Sequence, residues 1–179
     1  MARYVAFLRG MNLGKRRLKN PELKAEFEQL GFEQVATFRA SGNVVFEAGG
    51  RAGEASLAKK IEAGLASGLG YDVPVFLRSA AEVAAIAGQR PFPPKRVEAS
   101  KGKLQVSLLA RAPSAKARRD VLALGSEEDL LAIDGRELYW LPSGGLLESD
   151  LDLKAIEQAL GKDTRRTMGT IEQIATKHC

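Results

Sequence analysis

Two turn signals constrain this chain more than any other feature. Ser41-Gly42-Asn43 and Asp134-Gly135-Arg136 each lie between two short, apolar, β-prone runs. Gly and Asn tolerate the positive φ of a tight antiparallel turn, so each triplet reads as a hairpin. Helix-periodic segments flank both hairpins, and one more strand-sized run lies beyond each. Strand, helix, strand, strand, helix, strand is the split βαβ order of ferredoxin-like units.

The first half spells out that order. Residues 4–9 are apolar on both faces, as a central strand is. After the basic loop GMNLGKRRLK, a helix opens with Asn20 as N-cap and Pro21 in first position, buries Leu23, Phe27 and Leu30, and stops at Gly31. Residues 33–39 and 43–47 are the hairpin strands. A second helix carries Leu57, Ile61, Leu65 and Leu69 at four-residue steps and ends at Gly70. Residues 72–77 are the fourth strand, and Pro74 assigns it to a sheet edge in an expected spatial order of 4-1-3-2. A linker helix over 79–87 follows, with Ser79 and Glu82 as its capping box.

The stretch from Arg90 to Arg96 contains three prolines and reads as a semi-rigid connector, dividing the chain into subdomains 1–90 and 91–179. The order then restarts: strand 104–109, helix 114–124, hairpin strands 129–133 and 137–141, helix 151–160, an extended piece over 164–168 and a last helix over 170–177. The expected fold class is α+β, two tandem ferredoxin-like (βαββαβ) subdomains with antiparallel sheets, a linker helix and a C-terminal helix. Element order repeats between the halves, but no residue-level repeat stands out.

Composition narrows the chemistry. The hydrophobic share of 45% fills a core, while the longest apolar runs are strand-sized and the N-terminal one is broken by Arg9. No leader or membrane span is expected, and the location expected is cytoplasmic. The single cysteine, Cys179, allows no intramolecular disulfide and no Cys-rich metal site. The only histidine, His178, stands beside it on what reads as an exposed, frayed end, so a triad or zinc site would have to use that one imidazole. No metal and no cofactor is expected.

Net charge is +5, and residues 1–20 hold six basic side chains and no acid. That suits a phosphate-bearing partner, nucleic acid included, and equally an ordinary solvated surface. In the 4-1-3-2 arrangement the end of strand one lies beside the start of strand three. Arg9, Asn12, Lys15, Ser41 and Asn43 then gather near the N-terminus of the first helix, a geometry suited to an anion. The plainer alternative is that the glycines turn the chain and the asparagines satisfy loop backbone. Arg165 and Arg166 form a second basic point.

The known nucleotide-binding motifs do not match. GMNLGKR has three residues between its glycines and an Arg where a Walker loop needs Ser or Thr, and G-x-G-x-x-G is missing. The RNA-recognition consensus on the central strands is also missing. Ser149 and Asp152 read as a capping box rather than as part of an acidic site with Glu148 and Asp150. Trp140 reads as sheet packing. Three functions stay open: a module binding a phosphate-bearing ligand, an enzyme acting on a small anion in a groove between the halves with Asp134 or Asp150 moving a proton, and assembly through a sheet edge.

The runs RYVAFLRGMNLGK and SGNVVF, with LGF between them, resemble the bacterial family catalogued as domain of unknown function 1697. VPVFLRSAAEV, ELYWLPSGGLLESDL and TRRTMGTIEQI extend the resemblance along the whole chain. It implies an α+β fold of two related ferredoxin-like subdomains and no established activity. Two departures stand out: Arg166-Thr167-Met168 replaces an Arg-Asn-Trp-like triplet, and Ala40 replaces a glutamine before Ser-Gly-Asn.

Overall fold

Both hairpins form, and each sits inside a four-stranded antiparallel sheet. The computed structural model describes residues 1–10 and 17–179, which divide into two units, Met1–Ala85 with Ile174–Cys179, and Ile86–Gln173.

In the first unit the elements are β1 (Ala2–Leu8), α1 (Asn20–Gln29), β2 (Glu33–Thr37), β3 (Asn43–Ala48), α2 (Glu54–Leu69) and β4 (Val75–Ser79). The sheet order is β2-β3-β1-β4. Pleating sends Ala6, Leu8, Val44, Phe46 and Leu77 to one face, where they share a core with Leu23 and Phe27 of α1 and Leu57, Ile61 and Leu65 of α2. Phe46 is the hub of that core, its ring centroid 4.6 Å from Phe32, 5.5 Å from Phe27 and 5.9 Å from Tyr4. Each such buried aromatic contributes roughly 2–3 kcal/mol of apolar burial.

Three local expectations shift. Lys19, not Asn20, caps α1, because Glu22 Oε2 accepts from the Lys19 amide at 3.0 Å and closes the first turn one residue earlier. The fourth strand begins at Val75. Pro74 has no N–H for the ladder and enters only as an acceptor, from the Arg9 amide at 3.0 Å, while β4 does occupy the edge. His178 is not frayed: its carbonyl accepts from Arg3 Nη1 at 2.9 Å and its ring meets Phe38 edge-on at 6.4 Å.

The second unit carries α4 (Pro94–Ala99), β5 (Gln105–Leu109), α5 (Ala115–Leu122), β6 (Asp129–Asp134), β7 (Glu137–Pro142), a 3-10 turn (Leu146–Glu148), α6 (Leu153–Leu160) and β8 (Asp163–Thr167). Its sheet order, β6-β7-β5-β8, reproduces that of the first unit. Leu109, Ile133 and Leu138 pack against Val121 of α5 and Ile156 and Leu160 of α6. The expected connector is partly helical: Pro93 and Pro94 stand at the N-cap and first turn of α4, where a missing N–H costs nothing. The expected Ser149/Asp152 box is also corrected. Asp152 is itself the N-cap, accepting from the Ala155 amide at 3.0 Å, and Ser149 turns to another partner.

Helices α3 (Ala80–Ala87) and α7 (Met168–His178) follow β4 and β8 without a loop, and here a residue-level repeat emerges. Arg78, Ser79, Val83 and Ile86 correspond to Arg166, Thr167, Ile171 and Ile174. The capping box of α3 is complete, with Ser79 N donating to Glu82 Oε2 at 2.7 Å and Glu82 N to Ser79 Oγ at 3.1 Å. At the second junction Thr170 N donates to Thr167 Oγ1 at 3.2 Å. Both arginines are buried, and each returns Nη1 to the preceding carbonyl, Leu77 O at 2.8 Å and Arg165 O at 2.9 Å. Among the described residues no helix is long and apolar enough to cross a membrane.

Candidate functional site

Phe7 pairs with Asn43, and Leu8 N donates to Gly42 O at 2.9 Å, so the end of β1 does lie beside the start of β3. Gly10 follows with φ 70°, turning the chain away. Arg9, Ser41 and Asn43 therefore come to one end of this sheet. Asn12 and Lys15 lie outside the described residues.

The turn itself is built by asparagines. Asn43 is 1% exposed and its amide nitrogen donates to Phe38 O at 2.8 Å and Ser41 Oγ at 2.9 Å. A buried amide with both hydrogens spent in this way is an anchor for the turn. Asn20, freed from capping, donates from Nδ2 to Arg39 O at 3.0 Å and ties the first turn of α1 to the same hairpin. Arg39 stands in the left-handed region at φ 57°, and its guanidinium carbon lies 5.5 Å from the centre of the Phe38 ring. A non-glycine residue in that region costs about 1 kcal/mol and persists only where its surroundings hold it. Arg39 and Ser41 are exposed at the tip, and Arg9 is half-buried at the base. Sequence reading passed over Arg39. Its signal was a basic residue two positions before Ser-Gly in a turn.

Arg165 and Arg166 belong to the second unit and alternate across β8. Arg165 is exposed, its guanidinium carbon 5.0 Å from the centre of the Trp140 ring. Arg166 is 8% exposed and donates Nη1 to Thr164 Oγ1 at 2.8 Å, and burial pushes its guanidinium down to about 10. The two side chains point to opposite faces, so one anion does not meet both.

Trp140 is buried, and its Nε1 donates to Asp129 Oδ1 at 2.8 Å. Ser149 Oγ donates to the same oxygen at 2.7 Å. This three-residue link draws together positions that periodicity alone does not connect. Among the described residues no group of three or more His, Cys, Asp or Glu side chains is disposed to hold a metal ion.

The family model described as "Protein of unknown function (DUF1697)" matches residues 1–139. No curated protein matches the chain. Among solved structures, the conserved bacterial protein SP0830 from Streptococcus pneumoniae is similar, with a TM-score of 0.73 and 20% identity over 98% of this chain and 97% of that one. At that identity the likeness concerns the fold alone.

Proposed function

The chain belongs to the family of proteins of unknown function DUF1697, and on that premise we propose that it is a binding module for a phosphate-bearing ligand, nucleic acid foremost. The two sheets are read as tandem ferredoxin-like subdomains, residues 1–90 and 91–179, of a cytoplasmic protein. One observation carries the functional reading. The β2–β3 turn is clamped from two sides, by Asn43 within the hairpin and by Asn20 from α1, and it leaves Arg39 and Ser41 exposed at the end of the sheet where β1 runs into Arg9.

A fixed turn of this kind suits phosphate. Guanidinium groups supply charge-assisted donors, a serine hydroxyl adds a neutral one, and a preorganised loop loses little entropy on binding. Lys15 and Asn12 join this site on the sequence reading, within a segment rich in positive charge.

The test is an anisotropy titration of labelled single- and double-stranded DNA and RNA at several salt concentrations. The variants are Arg9→Ala with Lys15→Ala, and Arg39→Ala. The expected result is binding that weakens with salt and falls about tenfold or more in the double variant, with a shallower salt slope. No binding of any nucleic acid near 0.15 M salt, about the physiological value, would sink the nucleic-acid reading and send the search to small phosphorylated metabolites.

A further inference from the structure

We infer that the second unit carries its own contact surface for the phosphate backbone of a nucleic acid, formed by Arg111, Arg118 and Arg119 where β5 runs into α5. It rests on the reading proposed for the first unit for the class of ligand, and it uses none of the same residues.

The first observation is a repeat of charge at equivalent places. Residues 1–20 hold six basic side chains and no acid, and residues 99–119 also hold six and no acid. Each stretch contains the first strand of its unit, β1 or β5, and reaches the helix that follows it. The two strands hold the same place in their sheets and end in the same way. Leu8 N donates to Gly42 O and Leu109 N to Arg136 O, each at 2.9 Å and each to a residue of a hairpin turn. The basic stretch therefore leaves the equivalent end of each sheet.

The second observation is what the fold leaves over. The second unit has eight arginines, and five of them are engaged. Arg90 donates to the Ala87 and Gln89 carbonyls, Arg96 to Glu127 and Arg166 to Thr164, while Arg165 lies over the Trp140 ring and Arg136 has a partner as well. Arg111, Arg118 and Arg119 are exposed, and among the described residues no carboxylate or other group engages their side chains. All three fall within nine residues of sequence. The acid that follows them, Asp120, is held by Lys116 at 2.8 Å.

Exposed guanidinium groups without partners suit phosphate oxygens. The planar fork donates to two oxygens at once, its weak hydration makes desolvation easy, and each neutralised phosphate releases counterions. Several such groups in a short span with no acid among them match the repeating charges of a polynucleotide rather than one small anion. The other residues from Ala110 to Arg119 are Ala, Pro and Ser, which offer nothing to insert into a bilayer, so the surface is not built for lipid.

The test is an anisotropy titration of the full chain against a labelled DNA duplex of about two helical turns and a labelled unstructured RNA strand, at several salt concentrations. The main variant is the triple Arg111→Ala, Arg118→Ala, Arg119→Ala, and the triple substitution to Lys keeps the charge. Near physiological salt the alanine triple should weaken binding about tenfold or more and flatten the slope of log affinity against log salt by about two to three, while the lysine triple keeps the slope. Circular dichroism checks that the helices are retained.

Arg9→Ala with Lys15→Ala is measured beside it, so each unit is read from its own variant. Loss in the alanine triple upholds the second surface, even where the Arg9 and Lys15 pair proves silent and the reading of the first unit falls. An alanine triple that binds like the wild type overturns the second surface, and the first then stands or falls on its own pair. Wild-type binding to vesicles of equimolar phosphatidylserine and phosphatidylcholine, but to neither nucleic acid, also overturns it.

Discussion

Residues 1–20, with six bases and no acid, and residues 126–152, with eight acids and one base, are mirror images in charge carried on the same scaffold. The sheets share their strand order, and the junctions that end them share a buried arginine, a hydroxyl cap and two buried aliphatics. Of the basic residues, Arg9 lies at the start of β3, and an acidic cavity lies at the end of β7, the strand equivalent to β3. The scaffold is therefore repeated where packing is at stake, and it diverges at the loops, where charge is free to change without disturbing the core.

The shared junction is the sharpest place to test that reading. Arg78→Ala should cost about 3 kcal/mol and Arg166→Ala about 2 kcal/mol in urea unfolding, since both leave buried hydrogen-bond partners unmet. The order follows burial, 1% exposed against 8%. If Arg166→Ala costs as much as Arg78→Ala or more, the two junctions are alike in shape but not in energetics.

Glycines separate the units further. A Cβ on Gly102 would meet Pro142 Cγ at 2.6 Å and the Gly144 carbonyl at 2.8 Å, whereas one on Gly64 would meet the movable end of Leu30 at 2.5 Å. Gly102→Ala should cost about 2 kcal/mol and perturb the Trp140 resonance, because backbone beside the cavity must shift. Gly64→Ala lies within α2, where alanine gains about 0.5–1 kcal/mol of helix propensity, and should change stability by less than about 1 kcal/mol. Equal losses by thermal unfolding would erase the distinction.

The smallest effect belongs to His178. Burial, then the charges of Lys177 and Arg3, hold its imidazole below the usual 6.5. The unfolded chain thus binds more protons than the folded one just below that value, so stability falls slightly as pH drops through 6.5 toward the folded midpoint. As the only histidine, it is readable by NMR titration. A midpoint at or above 6.5 would return it to the frayed end that sequence suggests.

Much of the architecture is legible because its causes are local. Gly42 and Gly135 adopt φ of 80° and 57° where the turns were expected, and Gly70 ends α2 at φ 81°. The pairing of β1 with β3, and with it the meeting of Arg9, Ser41 and Asn43, follows from element order. The roles within that meeting do not. That Asn43 is an anchor, and that Asn20 reaches Arg39, depends on which backbone carbonyls face which amides after packing. The repeat of Arg78 and Arg166 escaped notice for a related reason: only four positions are kept, and they become visible as a set once both strands are seen running directly into a helix.

What the sequence by itself determined, then, was the alternation of strands and helices, the hairpins, the helix stops and the uneven charge, all set by residues acting on their immediate neighbours. What only the tertiary structure decided was which polar groups are spent on the fold and which are left over. Asp129 lies 11 residues from Trp140 and 20 from Ser149 and meets both through the fold, so their shared acceptor on Asp129 exists only in three dimensions. Hydrogen-bond satisfaction is settled when the core closes and water is excluded.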